Sequence, residues 1–220
     1  MGFIVAIDGP AGAGKSTVSR RVADRLGLVL IDTGAIYRTA ALLAHRKSLT
    51  EERAIAAELA ALDLEFAGGR VLLAGEDVSQ AIRTPEISLL ASHVSAMPAV
   101  RQALLELQRR SALRNARGAV VEGRDIGTVV FPDAPLKIFL TASIEERARR
   151  RHEELQRGGG AQSFEEVRDE IRRRDEKDSQ RAVAPLKAAS DACRVDTTGR
   201  SIEEIVEEIA RLAEKAEAPS

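Results

Sequence analysis

Five short apolar runs punctuate the chain: FIVAID (3–8), LVLID (28–32), AVVEG (119–123), LKIFLTA (136–142) and CRVDT (193–197). Each has the length of a strand, and amphipathic stretches separate most of them. That rhythm predicts βα alternation, an α/β fold whose parallel sheet is covered by helices on both faces. Helix entrances are marked as well. Ser143 with Glu146, Ser163 with Glu166 and Ser201 with Glu204 each fit the S-x-x-E capping box. Pro98 is placed to open a further helix through AVRQALLELQRRSALRN.

Two segments break the rhythm. Between about 62 and 97, LDLEFAGGRVLLAGEDVSQAIRT joins a Gly-Gly turn to alternating apolar residues, which predicts a small antiparallel insertion. Between about 148 and 165, RRRHEELQRGGGAQS runs a basic helix face into a triple-glycine hinge, expected to be a lid. An ordinary hairpin and an ordinary exposed loop are the plainer alternatives. The expected organisation is one domain over 1–220, with a core of about 1–61, 98–147 and 166–220, an insertion of about 62–97 and a lid of about 148–165.

Charge and composition narrow the function classes. The 33 basic and 34 acidic side chains nearly cancel, so the net charge of −1 does not suggest a nucleic-acid partner. The apolar runs are too short to span a membrane, no signal peptide precedes them, and the lone Cys193 excludes an internal disulfide. A soluble cytoplasmic protein is expected, with Cys193 as a buried strand residue. His45, His93 and His152 are scattered and form no metal pattern; packing or a supporting role is expected of His93, beside Ser92.

The sharpest chemical signal follows the first run. Gly9-Pro10-Ala11-Gly12-Ala13-Gly14-Lys15-Ser16, with Thr17 behind it, satisfies G-x-x-x-x-G-K-[ST] between a predicted strand and a predicted helix. The amides of such a loop attract the β- and γ-phosphates of a nucleoside triphosphate, Lys15 adds a cation, and Ser16 can ligate Mg²⁺. No guanine-reading N/T-K-x-D segment follows, so the loop does not mark a GTPase.

The acceptor must be sought at the ends of the other strands. IDTGAIYR puts Asp32 and Thr33 at a strand end and Arg38 one turn into the next helix; a simple capping turn is the alternative for the first two. VVEGRDIGTVVFPDAP puts Glu122 where phosphate-loop enzymes hold the metal's water shell, followed by Arg124 and Asp125, which otherwise form a surface ion pair. Arg174, Asp178 and Arg181 are spaced to share a helix face, whether a site or a solvated, ion-paired surface. Taken together, Lys15, Arg38, Arg124 and Arg181 are expected to reach one cleft, with Arg147, Arg151 and Arg157 as lid cations. So many cations suit two phosphorylated ligands, which makes the acceptor a phosphate ester.

The segments IDGPAGAGKST, IDTGAIYR, EDVSQAIRTPEIS, VEGRDIGTVVFPDAPLKIFL and RDEKDSQRAVAPL resemble, in order and over nearly the whole chain, the bacterial-type cytidylate kinases. The resemblance implies a P-loop kinase fold with strand order 2-3-1-4-5, a monophosphate-binding insertion, a short lid, a monomer, and transfer from ATP with Mg²⁺ to CMP or dCMP. On the family's pattern Thr33, Arg38, Arg124 and Arg181 hold the acceptor phosphate, and Asp178 with Arg174 the sugar. Ser92, Arg101 and Asp125 then read the base. Chemistry supports that last set: cytosine offers an N4 amine to a carboxylate and its N3 and O2 acceptors to a guanidinium, whereas uracil turns a carbonyl toward the carboxylate. A kinase of the same fold for another small acceptor, or a catalytically silent ATP-binding switch, are the rival readings.

Overall fold

A computed structural model describes residues 2–67 and 69–217. Gly68, half of the predicted Gly-Gly turn, lies outside the described residues, as do Met1 and the last three positions. The chain falls into two compact units, Met1–Leu30 with Asn115–Ser220, and Ile31–Arg114. The second is wider than the insertion expected at 62–97, because three flanking helices belong to it.

All five predicted sheet strands form: β1 (Phe3–Asp8), β2 (Val29–Asp32) and, after three short strands, β6 (Gly118–Glu122), β7 (Leu136–Thr141) and β8 (Cys193–Asp196). Their parallel order is β2-β6-β1-β7-β8, which is 2-3-1-4-5 when only sheet strands are counted. β1 sits at the centre, pairing Val5 with Val120 on one side and Leu136 on the other.

In the first unit α1 (Lys15–Leu26) and α8 (Ile202–Glu217) cover one face of the sheet. Val18 and Val22 of α1 and Ile205 and Ile209 of α8 close over Val5, Ile7, Ile138 and Leu140. Each such buried aliphatic side chain contributes about 1.5–3 kcal/mol. Two more helices, α6 (Ile144–Arg157) and α7 (Phe164–Ser179), pair through Ala148, Val167 and Ile171. Ser163 and Ser201 make reciprocal capping boxes with Glu166 and Glu204. Ser143 caps Glu146 in one direction only, because the Glu146 carboxylate is taken by Arg149 and Arg150.

The predicted lid is helical over most of its length. α6 runs to Arg157 and stops at Gly158, leaving only a short link to α7. Cys193 corrects the expectation of burial: β8 is an edge strand, only its Val195 turns into the core, and the thiol is exposed.

The second unit holds α2 (Thr33–Arg46), α3 (Glu52–Leu59), α4 (Pro85–Val94) and α5 (Pro98–Leu113). It also holds the expected antiparallel sheet of β3 (Leu64–Ala67), β4 (Arg70–Leu73) and β5 (Glu76–Asp77). α2 packs on α4 and α3 on α5. His93 of α4 is exposed, so the expected packing role does not hold.

Candidate active site

In the first unit the phosphate loop is built on close backbone approach. Gly9 has φ near +151°, and a Cβ there would stand 2.2 Å from the Leu140 carbonyl oxygen, so no other residue fits. The loop then runs into α1, leaving Gly12, Ser16 and Thr17 exposed at the helix N-terminus. Lys15 is buried, and its Nζ donates to the Pro10 carbonyl at 2.8 Å. Burial, with the nearby Arg124 charge adding to it, pushes the ammonium down to about 7, against the pull of Glu122.

Ser16 Oγ donates to Glu122 Oε1 at 3.0 Å, joining the loop to the end of β6. A hydroxyl and a carboxylate at this spacing are hard oxygen donors, the set that suits Mg²⁺, a cation that keeps several of its waters. Among the described residues no cluster of three or more His, Cys, Asp or Glu side chains offers an all-protein metal cage.

The arginines divide into two groups. Arg124 donates from Nε to Asp178 Oδ2 at 3.1 Å, and Arg181 donates from Nη2 to Asp178 Oδ1. A buried carboxylate thus holds two guanidinium groups side by side. Arg174 is exposed on α7, near enough for its charge to act on Lys15. Arg181 is not on the helix face that its spacing predicted. α7 ends at Ser179 with Gln180 as cap, and Arg181 returns to Asp178 from the segment beyond, where the Leu186 N–H bonds the Asp178 carbonyl.

Arg147, Arg151 and Arg157 were expected together on a lid, and the structure separates them. Arg147 is buried under the phosphate loop, donating to the carbonyls of Ala142 and Ala11, each at 3.1 Å, and to Asp175. Asp175 in turn accepts from the Ala11 N–H at 3.4 Å. Arg151 pairs with Glu154 and Arg157 bonds the Glu153 carbonyl, both exposed on α6.

Asp125 is buried at the head of a π-helical turn, Ile126–Val130, in which the Val130 and Phe131 amides reach back five residues to the carbonyls of Asp125 and Ile126. Below it lies a residue that motif reading passed over. Asp8 ends β1, is 4% exposed, and accepts the Ile126 and Gly127 amides at 2.8 Å each. Burial pushes its carboxyl up to about 6, with Asp125 adding to the effect and the two amides opposing it. A charged residue closing an otherwise apolar strand was the available signal. Asp175 gave none, standing in a run of charges.

In the second unit Asp32 caps α2, accepting the Ala35 amide at 2.9 Å, and also takes Arg38 Nη2 at 2.9 Å. The capping alternative therefore holds for Asp32. Thr33 is buried at the first turn, and Gly34 leaves the room in which the Arg38 guanidinium lies: a Cβ there would stand 3.1 Å from Nη1. Arg38 Nε is buried without a partner among the described residues. Ser92 and Arg101 meet through Ser95, whose carbonyl accepts Arg101 Nη1 and whose hydroxyl donates to the Ser92 carbonyl, both at 3.1 Å. The Arg101 guanidinium also stands 5.4 Å from the centre of the Tyr37 ring, a cation–π contact.

A glycine-rich loop feeding a helix N-terminus on a central parallel strand, with its lysine and serine set against a strand-end carboxylate, defines a phosphotransferase of the P-loop kinase class. The fold is shared at low identity by an uncharacterized protein from Eubacterium ventriosum ATCC 27560, with TM-score 0.55 and 11% identity over 96% of this chain and 98% of that one. Within this class the chain belongs to the cytidylate kinase family: the family model described as Cytidylate kinase matches residues 5–215. It is similar to the cytidylate kinase of Pseudomonas aeruginosa (strain UCBPP-PA14), at 53% identity over 96% of this chain and 95% of that protein. Similarity to the cytidylate kinase of Geobacter sulfurreducens is 50%, over 98% and 94% of the two chains. No helix among the described residues is long and apolar enough to cross a membrane.

Proposed function

We propose that this kinase transfers the γ-phosphoryl group of MgATP to the 5′-phosphate of CMP or dCMP, giving ADP and CDP or dCDP. The observation that carries it is the pair of arginines, Arg124 and Arg181, held by one buried aspartate in the same unit as the phosphate loop. Gly9 to Thr17 bind the triphosphate through loop amides, and Lys15 leaves its resting bond to Pro10 to follow the migrating group. Ser16, with Glu122 through water, would hold Mg²⁺, which when bound neutralises charge on the β- and γ-phosphates.

Arg124, Arg181, Thr33 and Arg38 take the acceptor phosphate. Asp178 and Arg174 serve the sugar, and Asp125, Ser92 and Arg101 the cytosine. A phosphate oxygen is already a competent nucleophile, so no general base is needed; attack on the γ-phosphorus breaks its bond to the ADP oxygen, and the residues supply position and charge. We take the protein to work as a cytoplasmic monomer.

The test is ADP release with MgATP and a panel of CMP, dCMP, UMP, AMP, dTMP, GMP and shikimate, with Lys15→Ala as control. Fast release with CMP and dCMP alone is expected. Equal rates with UMP would overturn the cytosine assignment, and no stimulation by any acceptor would overturn the kinase reading.

A further inference from the structure

Asp8 is a buried carboxylate that the roles above do not use, and each of its two oxygens accepts one main-chain amide. Oδ1 accepts the Ile126 amide and Oδ2 the Gly127 amide. These amides open the π-helical turn and, like the first amides of any helix, have no partner within it. Asp8 therefore caps a turn 118 positions away along the chain. The two residues just before that turn are Arg124, which is bonded to Asp178, and the buried Asp125. On its own strand Asp8 directly precedes Gly9, where the phosphate loop is pressed onto Leu140.

We infer that Asp8 is a positioning residue which, through the Ile126 and Gly127 amides, fixes the Arg124–Asp125 segment against the base of the phosphate loop. It touches no substrate. Its task is to hold the acceptor-reading segment at one distance from the donor-binding loop, so that in-line geometry is set before either nucleotide arrives. The inference rests on the proposed roles of Arg124 and Asp125.

The carboxylate form is the working form, since a neutral carboxyl cannot accept both amides as well. The charged groups around it are Lys15 from α1, Asp125 and Arg124 from the segment itself, Glu122 at the end of β6, and Lys137 of β7, whose alkyl chain lies beside Gly127 while its ammonium is bonded to Asp191. With Asp8 titrating near 6, the two amide bonds are complete above that pH and weaken below it.

The test compares wild type with Asp8→Asn at saturating MgATP from pH 5 to 8. Asparagine keeps the shape but turns an NH₂ toward one of the amides. At pH 8, kcat/KM for CMP is expected to fall about ten-fold or more, with KM for MgATP changed by less than about three-fold. Ionisations common to both proteins, including that of CMP, cancel in the ratio of wild type to variant, which should narrow toward unity below pH 6, where wild-type Asp8 is also neutral. A ratio independent of pH, or an equal loss in KM for MgATP, would overturn the inference. Should the variant fail to fold, the Ile126 and Gly127 amide proton shifts of the wild type are to be followed by NMR; they should titrate together near pH 6, and shifts that do not titrate would overturn it. Asp125→Ala run in parallel separates the two failures. If it spares CMP turnover the proposed base reader is wrong, whereas an effect there with none at Asp8 refutes only the positioning role.

Discussion

Arg147→Ala distinguishes two jobs for a cation that sequence reasoning put on a lid. The Arg147 side chain is 9% exposed, and its guanidinium holds Ala142, Ala11 and Asp175, whose side chain is 20% exposed. Its removal strands a largely buried carboxylate and takes a charged donor from two carbonyls. Breaking such a pair from one side costs about 3–5 kcal/mol, and each carbonyl left without a donor is part of that cost rather than an addition to it. In a chain of this length each kcal/mol lowers the melting temperature by about 2–4 °C, so a drop of roughly 6–20 °C is expected. Because Ala11 is in the phosphate loop, kcat/KM for MgATP should fall about ten-fold as well. The assay is urea unfolding of Arg147→Ala, Asp175→Asn and the double variant, alongside ATP kinetics. The double variant should be less damaged than the sum of the singles by about 0.5–3 kcal/mol. A single variant that unfolds within about 1 kcal/mol of wild type yet loses most of its kcat would refute the clamp and restore the lid role.

Asp125→Ala should lower kcat/KM for CMP about a hundred-fold or more while leaving MgATP binding within about two-fold, as steady-state kinetics and nucleotide titration would show. Arg181→Ala should cut kcat with CMP by about 10²–10³; an unchanged rate would return that residue to an ion-paired surface. For Lys15 the sign is set by its depressed value of about 7 in the free protein. Bound phosphate favours the ammonium form, so nucleotide binding takes up a proton at and above neutrality, and affinity declines as pH rises beyond 7, by at most about ten-fold per unit. Calorimetry in two buffers of different ionisation heat measures the uptake, which Lys15→Met should abolish.

The sheet was legible because its signal is local: an apolar run such as FIVAID is strand-sized wherever it folds, and G-x-x-x-x-G-K-S after it fixes a loop and a helix start. The site was legible only where a motif carries its own chemistry. Arg181 was picked out for the right partner by the wrong geometry, since helical spacing cannot foresee that α7 stops two residues earlier. Arg147 was grouped with Arg151 and Arg157 because an arginine among arginines carries no mark of which one turns inward. Asp8 was missed because its partners, the amides of 126 and 127, are main-chain groups that exist at every position and gain meaning only once the chain is folded, and Asp175 because its partner Arg147 stands 28 residues away and is one arginine among several.

The central position of β1 has a consequence for how the chain is made. Phe3 pairs with Gly118 and Val5 with Leu136, so β1 is synthesised long before either of its neighbours. At about 5–20 residues per second, FIVAID waits on the order of ten seconds before β6 has been made. Ile31–Arg114 is complete in the interval and can gather its own helices, while a short β-prone segment, five apolar residues closed by Asp8, trails from the ribosome with nothing to pair with. The nascent chain, rather than the finished enzyme, is where this protein is most open to aggregation and to capture by a chaperone.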